Sequence, residues 1–533
     1  MKVLLVSTSF EVEWRSTTVK ENSHYPLGIA YIHSYLEQQG HLVESLFLND
    51  YSYDDCYAIV RNKVKEFAPD VVGFNIMTNN RSSSFAAIEF IHETNPNIRI
   101  VAGGVHSSVM YEQMVKKYPF LTVIIGEGEI TAGELLDSFA GKRPQEGIAG
   151  ICFVQDGNVI KTEERPLIED LDSLPFPKHE AFFTEKRTTA SLLTSRGCPF
   201  KCTFCVLAMV SRRAVRMRSV ANVIAEIQYL VESFPQLETI WFHDDQFCID
   251  NNRVIELCDQ IVANNIKLKF ICSGRFKPIS KEMVAAMERA GFVQVLFGLE
   301  SGSAKVLKMA KKGISPQFAL DAITLFRDSK IVVTCFLIVG LYGESDSTIE
   351  ETINLVRQMQ KIKYLVYHDI GVLTIYPGIE IYDIAKKAGA INDDYWLSDK
   401  KTPLFTVEHS EEQLLAYKNR ILDHIAVTRF FTIKGFKAQA TMLPHILMFA
   451  IKNLSIIPMV AMIFLQRFAP DFYFKLRQGF SMFRAGKGEV RIKSPQLVTS
   501  ATNELVGEVV ITPIGPQGGI GNKKKIIPVQ AHK

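Results

Sequence analysis

The sequence lacks the features that would place it outside the cell or across a membrane. Only nine cysteines occur among 533 residues, and three of them crowd into one short stretch, so there is no disulfide framework. The first apolar run, residues 3–6, is too short for a signal peptide and predicts a strand instead. A formal net charge of +3 gives no argument for a nucleic-acid partner. These absences predict a protein of the reducing cytoplasm.

Length and composition predict a multidomain enzyme. A chain of 533 residues is too long for one ordinary domain, so two or three are expected. Hydrophobic residues make up 47% and charged residues 22%, which is typical of a globular protein with a large core. No internal repeat is visible.

The clustered cysteines are Cys198, Cys202 and Cys205, spaced Cys-x-x-x-Cys-x-x-Cys directly after an apolar run at 190–193 that predicts a strand. Thiolates are soft ligands suited to iron–sulfur clusters. Three of them would hold three irons of a cubane and leave the fourth iron open to a small molecule. The alternatives are a zinc site without its usual fourth ligand, or three unrelated thiols. The number and spacing favour a reactive cluster.

This cysteine motif resembles the signature of the radical S-adenosylmethionine (radical SAM) enzymes. In that family the open iron binds the methionine end of SAM, and the cluster reduces SAM to yield a 5′-deoxyadenosyl radical. The resemblance implies a 4Fe–4S cluster held by the three cysteines, which are the expected catalytic and metal-binding residues. It also implies that Phe204, just before the third cysteine, lies beside the adenine.

Residues 1–140 alternate short apolar runs with amphipathic segments, a pattern that predicts a parallel sheet covered on both faces. Ligands of such sheets bind beyond the carboxyl ends of the strands. Three turns rich in glycine or polar residues, at 75–78, 103–106 and 126–129, are expected at that edge. On this pattern alone the domain could be any flavodoxin-like domain whose glycines merely serve turns. The predicted strands are 3–6, 42–47, 71–76, 98–102 and 122–125, with helices such as 27–39 and 57–67 between them.

Taken with the downstream cysteines, this region resembles the cobalamin-binding domain that precedes many radical SAM modules. The matching pieces are residues 26–30, 103–106 and 126–129. The resemblance implies a flavodoxin-like (Rossmann-type) domain with cobalamin across its edge and the nucleotide tail buried inside. The implied cobalamin contacts are Asn75, Thr78, Gly103, Gly104, Val105, His106, Gly126, Glu127, Gly128 and Glu129.

One departure from that family concerns the cobalt ligand. Many cobalamin carriers have Asp-x-His-x-x-Gly after the first strand, and the loop beginning at Ser7 holds no such motif. His24 lies nearby, and whether it is solvated or ligating stays open. If cobalt has no protein ligand on its lower face, radical transfer of a methyl group becomes easier to rationalise at the family level.

Residues 141–185 are predicted to connect two domains. A hairpin is expected around the Asp156-Gly157 turn, and Pro175 and Pro177 then break the pattern. An ordinary surface loop within one domain is the alternative. The stretch also resembles the linker between cobalamin and radical SAM domains.

Residues 186–400 alternate strands and helices again, and about six strand–helix units predict a partial (β/α)6 TIM-type barrel. Reacting groups of such barrels sit at the carboxyl ends of the strands, where polar residues fall in this sequence. The predicted strands after the cysteine loop are 239–242, 268–272, 293–298, 331–339 and 369–375, and the predicted helices include 220–234, 252–264 and 281–290.

Several of these strand ends resemble SAM-binding elements of the family. The resemblance implies that Arg275 pairs with the SAM carboxylate, for which a guanidinium is suited. It implies that Glu300 and Ser301 contact the ribose and methionine, and that the turn from Gly340 to Gly343 forms a backbone platform beside the adenine. The turn 376–378 matches the turn near the end of the module.

Two groups of residues near these strand ends have simpler interpretations. Asp244 and Asp245 are either site residues or a helix cap and loop ion pair. The isolated cysteines show no second metal spacing, so they are predicted to be small core residues and no auxiliary cluster is expected. They are Cys248, Cys258, Cys272 and Cys335.

The last part of the chain, a helical region at 401–493 and a disordered tail at 494–533, gives a weaker pattern. Residues 429–493 hold eleven Lys or Arg against two acidic residues. An apolar run within this segment is interrupted too often for a spanning helix, which needs about 20 apolar residues. The segment is either an interfacial membrane helix or a helical cap on the barrel.

The resemblance implies a cobalamin-dependent radical SAM methyltransferase that methylates an unactivated carbon of a hydrophobic small molecule. One SAM would methylate cobalamin, and a second would give the radical that activates the substrate. The expected partners are a lipid, terpenoid or tetrapyrrole substrate and an electron donor such as flavodoxin or ferredoxin, with no nucleic acid. The expected location is the cytoplasm, with peripheral contact at the inner face of the membrane through 429–493 as an option.

Two other functions stay open. One is an oxidative cyclase or ring-rearranging enzyme that uses the same cofactors without net methylation. The other is a non-catalytic cobalamin-binding sensor with a vestigial barrel, against which the intact cysteine motif argues.

Overall fold

The computed structural model describes residues 1–10, 24–363, 366–400 and 402–425, which fall within one unit, Met1–Leu454. The segment 429–493, predicted as a membrane helix or barrel cap, and the predicted tail 494–533 lie outside the described residues. Within the described ranges, no helix is long and apolar enough to cross a membrane.

The N-terminal part forms a seven-stranded sheet from apolar, β-branched stretches of the kind that favour strands. Its strands are β1 (Lys2–Ser7), β2 (Leu42–Phe47), β3 (Val71–Asn75), β4 (Arg99–Gly103), β5 (Leu121–Ile124), β6 (Ile151–Gln155) and β7 (Asn158–Lys161). Their spatial order is β2-β1-β3-β4-β5-β6-β7. The first five strands run parallel, and β6 and β7 are antiparallel additions at one edge.

Within the described residues, five α-helices cover both faces of this sheet: α1 (Leu27–Gln38), α2 (Tyr53–Phe67), α3 (Arg81–Thr94), α4 (Val105–Lys117) and α5 (Glu129–Phe139). Successive strand residues point to opposite faces. Val3 and Leu5 therefore share a core with α1 and α5, whereas Leu4 and Val6 share one with α2, α3 and α4. The predicted flavodoxin-like architecture is confirmed.

The hairpin predicted within the connection belongs to the N-terminal sheet. Strand β6 pairs with β5 through Val123 and Cys152, so the hairpin extends the sheet instead of standing apart from it. The residues after the hairpin also pack on this domain, because Leu171, Leu174 and Phe182 join the core beneath α1 and α5.

The second sheet has six strands, all parallel, in the order β15-β14-β13-β12-β11-β8, which confirms the predicted partial barrel. A two-stranded antiparallel ribbon, β9 with β10, flanks the cysteine loop. The strands of this half are β8 (Thr189–Leu192), β9 (Ser195–Arg196), β10 (Arg216–Met217), β11 (Thr239–Phe242), β12 (Lys269–Gly274), β13 (Phe292–Glu300), β14 (Val332–Val339) and β15 (Val366–Val372).

Most helices of the barrel half bury one apolar core against the strands, whereas α13 and α14 pack into a core of the N-terminal sheet. Cys248, Cys258, Cys272 and Cys335 are at most 2% exposed in that core, as predicted for isolated small residues. The helices are α6 (Leu207–Val210), α7 (Val220–Ser233), α8 (Asn251–Ala263), α9 (Lys281–Ala290), α10 (Ala304–Met309), α11 (Pro316–Leu325), α12 (Asp346–Ile362), α13 (Glu380–Lys387), α14 (Asp393–Trp396) and α15 (Glu411–Ile425).

The last barrel strand ends earlier than predicted. It was expected at 369–375 and runs from Val366 to Val372, because the apolar residues after it leave the sheet. Leu373 and Ile375 instead enter the core that contains Ile88 of α3 and Met110 of α4. The two halves of the described chain thus share one apolar core.

Candidate functional site

The cysteine loop starts at a glycine that no other residue could replace. Gly197 has φ +100°, and a Cβ on it would lie 1.9 Å from the carbonyl oxygen of Ala214. Its N–H donates to Oδ2 of Asp245 over 2.9 Å. The loop is therefore pinned at its entry to the carboxyl end of β11.

The three cysteines of this loop fit an iron–sulfur cubane. Cys198 is buried, and Cys202 and Cys205 are half-buried. Burial raises the pKa of Cys198, and raises that of Cys205 to about 11, so thiolates here require a cation. Among the described residues no three His, Cys, Asp or Glu side chains are placed to share a single metal ion. A cubane makes no such demand, because each thiolate binds its own iron.

The loop is tied to the rest of the barrel by its own backbone. The N–H of Thr203 donates to the carbonyl of Ala310 over 3.1 Å, and the carbonyl of Thr203 accepts from the N–H of Ile381 over 3.2 Å. The cysteines thus sit on a braced loop beyond the carboxyl end of β8.

Arg275, directly after β12, lies beside Cys202 of the cysteine loop. Its guanidinium carbon is 3.6 Å from the ring centre of Phe200, and its Nη1 is 3.9 Å from Sγ of Cys202. Its Nη2 donates to the carbonyl of Lys312. With 4% of its surface exposed, the cation is held in a fixed position.

Glu300, at the end of β13, forms a buried ion pair that sequence reasoning missed. Lys312 Nζ donates to Glu300 Oε1 over 2.7 Å and lies 5.8 Å from the ring centre of Phe204. Nothing in the sequence distinguishes Lys312 from its neighbour Lys311, which is exposed and pairs with Glu380. The structure therefore brings Arg275, Glu300 and Phe204 together around the loop, and adds Lys312.

The remaining predicted SAM residues make other contacts. The Ser301 hydroxyl accepts from the N–H of Ser303 and lies 3.4 Å from Oγ1 of Thr352 in α12. The N–H of Gly340 donates to the carboxyl of Glu344, and the N–H of Gly343 donates to Oε2 of Glu408 over 2.7 Å. Burial raises the pKa of Glu344 to about 7.

A cavity of about 480 Å³ joins the N-terminal sheet to the cysteine loop. Its interior is apolar and lies between the face of the sheet and helices α1 and α5, with Val3, Leu5, Val101 and Leu135 among its walls. Its polar end is formed by His24, Glu127, Glu129, Arg196, His243 and Asp245. Gly28, Gly103 and Gly126 also line it, and a Cβ on any of them would meet no atom within 4 Å.

The predicted cobalamin contacts divide into two sets. Those that line the cavity are Asn75, Gly103, Gly104, Gly126, Glu127, Gly128 and Glu129. Thr78, Val105 and His106 lie away from its walls. Thr78 Oγ1 is 3.1 Å from Nδ1 of the fully buried His106, whose pKa burial lowers to about 3. His106 is therefore a neutral core side chain.

Glu127 and Glu129 direct their carboxylates at arginines of the β9–β10 ribbon. Glu127 accepts from Arg216 over 2.8 and 2.9 Å and from Arg196 over 3.1 Å. Glu129 accepts from Arg196 over 2.7 Å. Burial alone would raise the pKa of Glu127, but the two arginines and the N–H of Ile168 hold it below its ordinary value. These carboxylates join the cavity edge to the ribbon that carries the cysteine loop.

The barrel wall of the cavity holds a group that no motif predicted. The ring of His24 lies 4.2 Å from that of Trp241 and 4.4 Å from that of His243. Nε2 of His243 is buried without a hydrogen-bond partner among the described residues. Burial and the nearby His24 lower the pKa of His243 to about 3, so it is neutral.

The two aspartates after β11 have different surroundings. Asp244 is 2% exposed and accepts from the N–H and hydroxyl of Thr194 and from the hydroxyl of Ser195, so it fastens the strand end. Asp245 anchors Gly197 and lines the cavity, and burial raises its pKa. Asp244 therefore has a structural role, but as an acceptor for Thr194 and Ser195 instead of the helix cap or ion-pair partner that the sequence suggested. Asp245 lines the cavity.

Each half of the described chain matches the model of a known protein family. Residues 192–356 match the family model of the Radical SAM superfamily, and residues 17–136 match that of the B12 binding domain. An uncharacterized methyltransferase of Pyrococcus horikoshii is 28% identical over 72% of this chain and 83% of its own length. The anaerobic magnesium-protoporphyrin IX monomethyl ester cyclase of Rubrivivax gelatinosus is 29% identical over 62% of each chain.

A solved structure shares the fold of the described residues. The radical SAM methyltransferase TsrM from Kitasatospora setae, with cobalamin and a [4Fe-4S] cluster bound, has a TM-score of 0.59 and 18% sequence identity. The match covers 73% of this chain and 79% of that one. At 18% sequence identity this comparison supports the shared fold alone.

Proposed function

Because this chain belongs to the cobalamin-binding radical SAM enzymes, we propose that it is a methyltransferase acting on an unactivated carbon of a hydrophobic small molecule. Its cofactors are a 4Fe–4S cluster, SAM and cobalamin, in agreement with the sequence prediction. The observation that carries the proposal is the cavity, which runs from the sheet of the B12-binding domain to Gly197, where the cysteine loop begins.

When bound, the cluster and SAM supply a 5′-deoxyadenosyl radical, and cobalamin carries the methyl group. In this proposal Cys198, Cys202 and Cys205 hold the cluster. Arg275 places a cation beside the loop, suited to the carboxylate of SAM, whereas Lys312 is paired with Glu300. Glu300 offers a carboxylate to the ribose hydroxyls or the ammonium group.

The proposed corrinoid site uses the apolar interior and the open glycines of the cavity. The nucleotide tail would lie between the sheet and helices α1 and α5, where the walls are apolar. Gly103 and Gly126, at the strand ends, leave room for a bulky ring against the backbone. His243 and Asp245 close the barrel side and help to exclude water from the reacting groups.

Methylation is favoured by the relative named a methyltransferase, because the alignment spans 83% of that protein. The second candidate is an oxidative cyclase without net methylation. It is favoured by the relative named a magnesium-protoporphyrin cyclase, of which the chain spans 62%. A tetrapyrrole is therefore a substrate class to test beside lipids and terpenoids.

The test is anaerobic reconstitution with iron, sulfide, cobalamin and SAM labelled in its methyl group. A low-potential reductant, flavodoxin or ferredoxin, supplies electrons, and lipid and tetrapyrrole extracts supply substrates. A product heavier by one labelled methylene supports the methyltransferase. An unlabelled product that has lost hydrogen supports the cyclase. Absence of 5′-deoxyadenosine with every extract would contradict both and revive the sensor.

A further inference from the structure

Arg275 lies against Cys202, one of the three proposed cluster ligands. Its Nη1 is 3.9 Å from Sγ of Cys202, and two further contacts, with the ring of Phe200 and the carbonyl of Lys312, hold the guanidinium there. The side chain is 4% exposed, so water screens its charge poorly. A cation fixed beside one cluster ligand acts on that ligand whether or not SAM is bound.

Arg275 is also a cation without a carboxylate partner among the described residues around the cysteine loop. Lys312 and Glu300 neutralise each other over 2.7 Å. Among the described residues no carboxylate lies within ion-pair distance of Arg275. Asp245, in the stretch after β11, accepts from the N–H of Gly197 at the start of the cysteine motif. Arg275 therefore brings an unpaired positive charge into contact with Cys202.

We propose that Arg275 raises the reduction potential of the cluster through its contact with the sulfur of Cys202. Reduction adds one electron to the cluster, and a fixed positive charge stabilises the more negative reduced state. Hydrogen bonds to ligand sulfurs and the local net charge are established determinants of such potentials. The inference rests on the proposed placement of the cluster on the cysteine loop. It gives Arg275 a role beyond the pairing with SAM that the sequence predicts.

The test is a redox titration of the reconstituted full chain without SAM, followed by electron paramagnetic resonance of the reduced cluster, with dithionite as electron source. The variant R275Q keeps a hydrogen-bonding side chain and removes the charge. We expect its midpoint potential to shift to a more negative value. R275K, which keeps the charge, is expected to lie between R275Q and the unchanged protein.

A matched control removes another buried cation of the same barrel. Lys363 is 5% exposed and donates to the carbonyls of Phe326 and Ser329 at the amino end of the sheet. K363Q should leave the potential unchanged. An R275Q cluster that forms normally and titrates like the unchanged protein would overturn the inference.

Two outcomes keep the inference separate from the proposed function. If the unchanged protein shows no cluster signal, the placement of the cluster fails. If R275Q does not retain a cluster, the midpoint potential of F200L is measured instead. This variant keeps the charge of Arg275 but removes the ring that holds the guanidinium in place. A potential shifted negatively in F200L supports the inference, and an unchanged one refutes it.

Discussion

Replacing Glu127 with glutamine tests the link between the two halves of the chain. The carboxylate accepts four hydrogen bonds, three from Arg196 and Arg216 and one of 2.9 Å from the N–H of Ile168. Glutamine offers one acceptor oxygen and turns an NH2 group toward a guanidinium. The largely buried Arg216 would then lose its counter-charge, and Arg196 would lose one of its two.

The expected loss of unfolding free energy in E127Q follows from the burial of the three side chains. The side chains of Glu127, Arg196 and Arg216 are 12%, 15% and 5% exposed, so solvent screening is weak. Breaking one partner of a buried ion pair costs about 3–5 kcal/mol. Glu129 continues to pair with Arg196 over 2.7 Å, which places the expected loss of unfolding free energy for E127Q near the lower end, about 3 kcal/mol.

The loss should depend on pH with a defined sign. The folded-state pKa of Glu127 lies below its ordinary value of 4.5, so the stabilisation is complete above that pH and disappears as the pH falls through the folded pKa. The difference in stability between the unchanged protein and E127Q should therefore be constant near neutral pH. It should shrink below pH 4.5.

The measurement is urea unfolding of the full chain followed by circular dichroism, with E112Q as matched control. Glu112 pairs with Lys116 over 2.6 Å on the exposed surface of α4, where such a pair contributes about 0–1 kcal/mol. If E127Q loses no more stability than E112Q, the link between the halves does not exist as described. A double-mutant cycle with R216M should give a coupling energy of about 1–3 kcal/mol.

Three further predictions concern the cavity, the cluster and a buried acid. G103V should fill open space in the cavity and weaken cobalamin binding at least about tenfold, measured as corrinoid absorbance retained on gel filtration, whereas G147V, at an exposed glycine, should bind normally. C202A should abolish cluster absorbance and SAM cleavage together, and retained cleavage would refute the assignment of the loop. The raised pKa of Glu344, about 7 against 4.5, means that folding stability falls as pH rises between those values. E344Q should remove that fall, on the order of 3 kcal/mol, in urea unfolding at pH 5 and pH 8.

The sequence predicts the elements of this fold well because their causes are local. Apolar runs rich in β-branched residues favour strands, and a glycine such as Gly197 occurs where a side chain would collide with Ala214. The end of β15 was misplaced because Leu373 and Ile375 are apolar for another reason, namely burial against α3 and α4.

The candidate site was predicted less completely because its contacts are not local. The sequence places Glu127 and Glu129 at the ligand edge, but their arginines lie in a ribbon of the other half. Lys311 and Lys312 follow the end of α10, and only the fold determines that Lys312 is buried against Glu300 while Lys311 stays exposed. The two predicted contacts of one turn also differ in position: His106 lies in the core, whereas Gly103 borders the cavity. The sequence does not show this difference.

The walls of the cavity come from positions as far apart in the chain as Val3 and Asp245. The cavity is therefore complete only when residues up to Asp245 have been synthesised and have folded onto the first sheet. We expect a corrinoid to be loaded into it after that point. A fragment ending in the connection at 141–185 would lack the cavity walls that lie between Leu193 and Asp245. We expect it to bind a corrinoid only when it is co-expressed with the second half.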